Sequence, residues 1–233
     1  MNKRHRLGQH FLKSQKIAQG IVSSSHITQN DTVLEIGTGE GILTKLLCKN
    51  AKNVISIESD KTLYNNAKSV MHENNLELRY GDGFKISEKF HVFVSNLPYS
   101  KSKKAIEWLV QQNFSHAIVM VQKEFAEKLM TDCADERKAV SVLVNHSFDI
   151  KKILNVGKNN FNPPPKVDSV VLELKKKKTL SSEIIKTVNK IFSYRRKTIQ
   201  NILKQFNKKS NDQRRLDELS GDEIIKIAKQ IIK

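Results

Sequence analysis

The chain has 233 residues, of which 38% are hydrophobic, and a formal net charge of +17. This length suits one substantial α/β domain with a small appendage. No apolar run is long enough to span a bilayer, and the basic start of the chain lacks the apolar core of a signal peptide. Neither Cys48 nor Cys133 has a metal-site or redox spacing. We therefore expect a cytoplasmic protein with no membrane and no metal, and a monomer by default.

The positive charge predicts a polyanionic partner, most simply nucleic acid. A generally lysine-rich proteome is the alternative interpretation. The uneven distribution of the charge weakens that alternative, because residues 175–233 hold 17 Lys and Arg against 6 Asp and Glu.

Apolar runs and amphipathic stretches alternate along the first 176 residues and predict a doubly wound, mostly parallel sheet. After the lysine run 175–178, only helical periodicities appear. We therefore predict an α/β domain over residues 1–176 and a small all-α domain over 177–233. The last two strands could form an antiparallel hairpin at one end of the sheet. The predicted strands are 32–36, 53–58, 76–80, 90–96, 117–121, 148–156 and 167–174, and the predicted helices lie near 17–22, 41–50, 61–73, 103–112, 123–130, 137–146, 181–192, 195–206 and 221–232.

The first predicted strand runs into the glycine-rich segment Glu35–Gly41. Its G-x-G-x-G spacing departs from the G-x-G-x-x-G of dinucleotide folds, and Glu40 puts a negative charge where a pyrophosphate would bind. Both features disfavour a dehydrogenase. They favour a ligand with a cationic centre and an amino acid moiety, a description that fits S-adenosylmethionine. Gly37 and Gly39 would let such a ligand approach the backbone closely.

Two acids end the next two predicted strands. Glu58 stands about 20 residues after the first glycine, where an acid typically binds ribose hydroxyls. A helix-capping role beside Asp60 is the alternative. Asp82 lies where an adenine amine could donate to it, and an Asp in a Gly-Asp-Gly turn is the alternative. The succession of such strand ends is more specific than either acid alone.

The tetrapeptide Asn96-Leu97-Pro98-Tyr99 follows another buried strand. The Asn96 side-chain oxygen and a neighbouring backbone carbonyl can accept the two N–H bonds of an exocyclic amine. Pro98 fixes its own φ and offers no competing donor, and Tyr99 can stack on a flat heterocycle. A simple strand-end turn is the alternative interpretation.

With these segments assembled, the chain resembles the ribosomal RNA adenine dimethyltransferases, which include the small-subunit enzymes and the macrolide-resistance enzymes. The leucine of the tetrapeptide, the triple-proline segment and the Arg-Arg-Lys-Thr segment are similar to the small-subunit branch. Gly83, where relatives commonly have Ala, and the basic segment Ser100–Lys104 depart from the family pattern. The matching segments are Gly8–Leu12, Glu35–Gly41, Glu58, Gly81-Asp82, Asn96–Tyr99, Phe161–Ser169 and Arg195–Thr198.

The resemblance implies a Rossmann-like class I methyltransferase domain, with a mixed, mostly parallel seven-stranded sheet, and a small helical domain after it. It implies transfer of two methyl groups from S-adenosylmethionine to N6 of each of two adjacent adenosines in the 3′-terminal hairpin loop of small-subunit ribosomal RNA. The substrate would be ribosomal RNA within a small-subunit assembly particle, in a step coupled to ribosome biogenesis. Carried over by position, the cofactor contacts fall on His10, Leu12, Gly37, Gly39, Glu58, Asp82 and Asn96, of which the first two place the N-terminal arm over the cofactor.

We expect the target adenosine to be flipped out of its stack. Tyr99 and Phe161 would then stack on opposite faces of the base, with a hydrophobic anchor for its loop as the alternative role of Phe161. Three basic stretches are expected to bind RNA, and a solvated charged face is the alternative for them. The candidate catalytic residues are Asn96, Leu97, Pro98, Tyr99 and Phe161, and the candidate RNA-binding residues are Lys3, Arg4, Arg6, Lys101, Lys103, Lys104, Arg195, Arg196 and Lys197, with Lys204, Lys208 and Lys209 beside the last three.

Two other functions stay open at this point. A macrolide-resistance enzyme would methylate large-subunit RNA, and the tetrapeptide and the triple-proline segment argue against it. An RNA-binding assembly factor that has lost catalysis would keep the fold, and the intact cofactor residues argue against that loss.

Overall fold

The structure, a computed structural model, describes residues 9–131 and 133–232. The predicted RNA contacts Lys3, Arg4 and Arg6 lie outside these residues. Among the described residues, no helix combines the length and the apolar character needed to cross a membrane. The strands are β1 (Phe11–Leu12), β2 (Thr32–Ile36), β3 (Asn53–Glu58), β4 (Leu76–Tyr80), β5 (Val92–Asn96), β6 (His116–Gln122), β7 (Phe148–Val156), β8 (Phe161–Asn162) and β9 (Ser169–Lys176). The helices are α1 (Gln15–Ser23), α2 (Ile42–Asn50), α3 (Lys61–Val70), α4 (Ser102–Gln111), α5 (Lys123–Met130), α6 (Ala139–Ser147), α7 (Ser182–Ser193), α8 (Ile199–Lys204) and α9 (Gly221–Ile232).

Seven strands form the main sheet, in the order β4-β3-β2-β5-β6-β9-β7. The pairs from β4 to β6 are parallel and β9 runs antiparallel to β6, which confirms the predicted mixed, mostly parallel sheet. Strands β9 and β7 are neighbours at one end of it, where the sequence predicts a hairpin. Because β3 and β5 lie on opposite sides of β2, the winding reverses there, and such a reversal leaves a crevice at the carboxyl ends of the strands.

The centre of the sheet is buried on both faces, which explains the continuous apolar runs of its strands. Val33 of β2 pairs with Val54 on one side and with Val92 on the other, and all three are buried. Ile21 of α1 and Leu47 of α2 belong to the same core cluster. This core fixes the strand ends from which the candidate site residues project.

A second, two-stranded sheet holds the arm formed by residues 9–13. Phe11 pairs with Asn162 and Leu12 with Phe161, and the Lys13 N–H donates to the Asn160 carbonyl at 2.9 Å. Leu12 and Phe161 are both buried in the main core cluster. The arm is therefore anchored by backbone pairing and by an apolar side chain.

The chain divides into two compact units. In the second unit, α6, α7 and α9 pack on one another, and Leu143, Val188 and Ile224 are buried. The last segment of this unit begins at Lys177, and the division into domains at 1–176 and 177–233 stays a prediction. The first unit comprises residues up to Ala105, Asn113–Ala126 and Asp149–Lys176, and the second comprises Ile106–Gln112, Glu127–Phe148 and the residues from Lys177 onward.

One helix is shorter than its periodicity predicts. The prediction of helix over 195–206 is wrong at its start, because α8 begins at Ile199. The Lys197 N–H donates to the Tyr194 carbonyl at 2.8 Å, and Thr198 forms a β-bridge with Arg215. The basic residues 195–197 therefore lie on a turn between α7 and α8.

Candidate active site

A cavity of about 300 Å³ lies at the carboxyl ends of β2, β3, β4 and β5, with the arm as one of its walls. It brings together every predicted cofactor contact and the whole tetrapeptide. This shared location supports the predicted binding roles, which stay predictions. The residues concerned are His10, Leu12, Gly37, Gly39, Glu58, Asp82, Asn96, Leu97, Pro98 and Tyr99.

Glu58 holds the glycine-rich loop in place. Its buried carboxylate accepts the Gly39 N–H at 3.0 Å and the Asp60 N–H at 2.8 Å. Gly39 has a φ of +58°, and a Cβ there would lie 3.2 Å from Cδ1 of Phe11 on the arm, so the close approach of arm and loop needs glycine. Asp60 accepts two N–H groups of the first turn of α3 and is the residue that caps it. Glu58 itself faces the cavity.

Asp82 forms the Asp turn that is its alternative role, and its role as an acceptor for the adenine amine stays a prediction. Its Oδ1 accepts the Phe84 N–H at 3.0 Å, as in an Asp turn, and its Oδ2 accepts from the Lys104 ammonium at 3.1 Å. Burial acts to raise the pKa of the carboxyl, but the two hydrogen bonds and the charges of Lys104 and Lys85 outweigh it. The pKa therefore lies below its ordinary value, and an ionised acceptor stands at the cavity wall.

The Asn96 amide is oriented by the arm. Its Nδ2 donates to the His10 backbone carbonyl at 3.2 Å. A carbonyl can only accept, so this contact assigns the NH₂ group to the arm and turns Oδ1 the other way. The His10 ring is fixed in turn, because its Nδ1 lies 2.8 Å from the Pro163 carbonyl and must carry the proton.

Tyr99 lies half-buried at the cavity wall. Its hydroxyl is 2.6 Å from the Ser169 hydroxyl, and its ring centroid is 5.3 Å from that of His10, with the rings tilted by 33°. Desolvation raises the pKa of the phenol, so the ring stays neutral at pH 7. Leu97, beside it, is buried. The hydrogen bond to Ser169 and the ring contact with His10 hold the Tyr99 ring in a defined orientation.

The prediction that Phe161 stacks on the substrate base is wrong for this structure. Its side chain is 1% exposed and lies in the hydrophobic core cluster. It pairs with Leu12 across the β1–β8 sheet. The ring is therefore a hydrophobic anchor for the arm and its loop, which was the alternative role.

The predicted RNA-binding residues occupy different places. Lys101 and Lys104 line the cavity, whereas Lys103 is exposed on α4 without lining it. In the second unit, Arg195 donates to the Asp135 carbonyl at 2.9 Å. Arg196 and Lys197 are exposed, and the Lys197 ammonium lies 5.1 Å from the Tyr194 ring centroid. Their roles in RNA binding stay predictions.

Glu35 lines the cavity, although its place in the sequence predicts no role of its own. Its side chain accepts from the hydroxyls of Thr44 and Ser56, both at 2.6 Å, and Thr38 lies 2.7 Å from Ser56. Burial raises the pKa of the carboxyl to about 7, against the lowering effect of the two hydroxyls and with a contribution from Glu58. An acid inside the apolar run Thr32–Ile36 is the sequence signal that could have identified it.

Glu35→Gln is expected to flatten the pH dependence of stability. Between pH 4.5 and 7, folded Glu35 keeps a proton that the unfolded chain has lost, so the wild-type free energy of unfolding falls as the pH rises through this window. Between pH 5 and 8, we expect the free energy of unfolding of the variant to rise relative to that of the wild type by up to about 3 kcal/mol. Urea unfolding measures this difference. The exposed acid Glu77 gives the control: an E77Q profile matching that of E35Q would contradict the assignment.

Gly83 explains one departure from the family pattern. A Cβ at this position would lie 2.7 Å from Cγ1 of Ile36, whose branched side chain is stiff. Gly83→Ala is therefore expected to lower the free energy of unfolding by about 1–3 kcal/mol, read from denaturant midpoints. Gly157→Ala is the matched control, because its Cβ would approach no atom closer than 3.8 Å. Equal midpoints for the two variants would refute this explanation.

Sequence comparisons show which known proteins the chain is similar to. A family model described as "Ribosomal RNA adenine dimethylase" matches residues 1–233. A protein named ribosomal RNA small subunit methyltransferase A from Thermotoga neapolitana is 36% identical over 238 aligned positions, which cover 97% of this chain and 90% of that protein. A protein of the same name from Mycoplasmopsis pulmonis is 37% identical over 217 positions, covering 88% and 85%.

Solved structures agree with these matches. A dimethyladenosine transferase from Plasmodium falciparum is similar with a TM-score of 0.79 and 30% identity, over 94% of this chain and 96% of that one. The 23S rRNA methyltransferase ErmE is similar with a TM-score of 0.67 over 96% and 100%, and at 21% identity this shows the fold alone. The predicted Rossmann-like methyltransferase fold is confirmed.

Proposed function

Because the chain belongs to the ribosomal RNA adenine dimethylase family, we propose that it dimethylates N6 of two adjacent adenosines in the 3′-terminal hairpin loop of small-subunit ribosomal RNA. It is a ribosomal RNA adenine N6,N6-dimethyltransferase of the small-subunit branch, and S-adenosylmethionine is its cofactor. Our proposal includes a monomeric, cytoplasmic enzyme acting on a small-subunit assembly particle, in a step coupled to ribosome biogenesis. The orientation of the Asn96 amide is the observation that carries the proposal.

The donor set of the cavity fits S-adenosylmethionine. Glu58 offers carboxylate oxygens for ribose hydroxyls, and Asp82 offers an ionised acceptor for the adenine amine. Glu40 also faces the cavity, with a charge that suits a cationic ligand. Among the described residues, no cluster of His, Cys, Asp and Glu has the arrangement of a metal site. When bound, the cofactor supplies an electrophilic methyl group on a sulfonium.

Asn96 and Leu97 orient the amine that is methylated. With Nδ2 committed to the His10 carbonyl, Asn96 presents Oδ1 as an acceptor for one N6 hydrogen, and the Leu97 carbonyl accepts the other. These two bonds turn the N6 lone pair away from the aromatic ring of the base and toward the cavity. Catalysis by this pair is positioning and electrostatic stabilisation.

Tyr99 holds the flipped adenine. Its ring is fixed by the Ser169 hydroxyl and by His10, so one face is ready to stack on the base without a further loss of side-chain freedom. After alkylation, N6 becomes acidic and loses its proton to water, so the scheme needs no general base. The monomethylated amine re-enters with one N–H left for Asn96 or Leu97, and a second transfer follows.

Methyl transfer to two RNA samples tests this proposal. Labelled S-adenosylmethionine is supplied with undermethylated small-subunit particles and, in parallel, with large-subunit RNA, and the RNA is digested to nucleosides. We expect N6,N6-dimethyladenosine in the small-subunit sample alone. Label in large-subunit RNA would move the protein to the macrolide-resistance type. Absence of label from both, with RNA binding retained, would favour a non-catalytic assembly factor.

A further inference from the structure

Tyr80 is a large aromatic side chain left in solvent. It ends β4, an edge strand of the main sheet, and 52% of it is exposed. The other large hydrophobic residues exposed in the described chain are two valines and a methionine. An aromatic ring on a protein surface is a stacking surface for a nucleic acid base.

Three side chains of α3 extend this ring into an ordered row. The Tyr64 centroid lies 5.6 Å from the Tyr80 centroid, with the rings at 50°. The Lys61 ammonium group lies 5.3 Å from the Tyr80 ring centroid. The Lys68 ammonium group lies 5.9 Å from the Tyr64 ring centroid. We name this row the tyrosine–lysine ladder; its members, in spatial order, are Lys61, Tyr80, Tyr64 and Lys68.

The exposed charges of the ladder are its lysines. Glu58, the register partner of Tyr80 on β3, is buried and accepts the Gly39 and Asp60 N–H groups. Helix α3 contains no Asp or Glu, and Asp60 before it is engaged in capping. Glu77 and Arg79 alternate with Tyr80 along β4, so they project from the other face of the sheet, where they form an ion pair at 2.7 Å. The ladder therefore combines two aromatic rings with two lysine ammonium groups, the combination that binds single-stranded nucleic acid.

The ladder adjoins the wall of the active-site cavity. Leu63 of α3 lines the cavity, and so do Gly81 and Asp82, which directly follow Tyr80. The end of β4 lies three strands from the end of β5, or about 14 Å at ~4.8 Å per strand. A strand whose target adenosine contacts Asn96 and Tyr99 would therefore reach the ladder with nucleotides a few positions away. Those nucleotides are unpaired in a hairpin loop, and their bases are free to stack.

We propose that the tyrosine–lysine ladder binds a single-stranded stretch of the ribosomal RNA substrate a few nucleotides from the target adenosine, with one base stacked on Tyr80 and the two lysines on phosphates. This rests on the proposed function, because the loop that enters the cavity supplies the unpaired bases. The ladder is thus a further RNA contact, made by residues other than the tetrapeptide and the basic turn at 195–197.

Two substitutions of Tyr80, one to leucine and one to phenylalanine, test the stacking. Tyr80→Leu removes the π-face and Tyr80→Phe keeps it. We expect Tyr80→Leu to raise the KM for undermethylated small-subunit particles about tenfold, and Tyr80→Phe to stay within about twofold of the wild type. The Kd for S-adenosylhomocysteine and the thermal midpoint should be unchanged in both. A KM for Tyr80→Leu equal to that of the wild type, or an equal loss in Tyr80→Phe, would overturn the proposal.

The lysines are tested by salt dependence. For small-subunit RNA, we expect the slope of log Kd against log salt to fall by about 1.4 in the double variant Lys61→Gln/Lys68→Gln, since each lost phosphate contact on a single strand removes about 0.7. Lys152→Gln is the matched control, because Lys152 is exposed on β7 at the opposite edge of the sheet. Equal slopes for the double variant and this control would refute the phosphate contacts. Ladder-dependent RNA binding by an enzyme that methylates only large-subunit RNA would uphold the ladder and overturn the proposed function.

Discussion

Replacing Asn96 with alanine is expected to lower kcat by about 10²- to 10³-fold, the usual effect of removing one preorganised hydrogen-bonding group from an active site. The alanine removes the acceptor for an N6 hydrogen and also the bond from Nδ2 to the His10 carbonyl. Methyl transfer to undermethylated small-subunit particles at saturating cofactor measures the change. Full activity would show that the amide has no part in the chemistry.

Asn96→Asp separates the two roles of this side chain. The aspartate keeps an oxygen for the amine but loses the N–H that reaches the His10 carbonyl, so both variants lack the bond to the arm and only the alanine lacks the acceptor. We expect kcat of the aspartate variant to exceed that of the alanine variant at least tenfold, with a raised Kd for the cofactor in both. Equal kcat values would assign the whole effect to the arm.

Glu58→Ala is expected to weaken binding of S-adenosylhomocysteine about 100-fold or more, measured by calorimetry. Its carboxylate is buried and accepts from Gly39 and Asp60. The alanine leaves both N–H groups without this acceptor and removes the candidate partner of the ribose hydroxyls. The cofactor should lose affinity through the loosened loop and through the missing contact together.

The neighbouring acid supplies the control for Glu58. Asp60→Ala removes the cap of α3 and should cost about 1 kcal/mol of stability, with the Kd for S-adenosylhomocysteine within about twofold of the wild type. Similar Kd values for the two variants would mean that Glu58 acts only by stabilising the fold.

The strands and the residues that end them can be predicted from the sequence, because they follow from short-range patterns. Apolar runs place β2, β3 and β5, and the polar residues that end them meet at one edge because the strands are parallel. Asn96 and Glu58 could therefore be assigned to one site before any coordinates. His10 and Leu12 could not, since nothing in their local pattern links them to that edge, and only the family resemblance located them.

Contacts between residues that are distant in sequence explain why some predictions are wrong and why Glu35 is missed. Phe161 looked like a stacking ring because its loop is proline-rich, but its two-residue strand is too short to show a periodicity, and its burial depends on pairing with Leu12. The helix predicted from residue 195 fails because a turn and a bridge to Arg215 occupy its first residues. Glu35 is fixed by partners from two other elements, Thr44 and Ser56.

The pairing of β1 with β8 has a consequence for the order in which the molecule is assembled. Phe161 is made about 150 residues after Leu12, and contacts so distant form slowly because a long loop must close first. Residues up to Ala105 already include the glycine-rich loop, Glu58, Asp82 and Asn96, but the arm then has no strand to pair with. We therefore expect a nascent chain to retain the cofactor tightly only after Phe161 has been made and has paired with Leu12, so that cofactor retention reports closure of the arm.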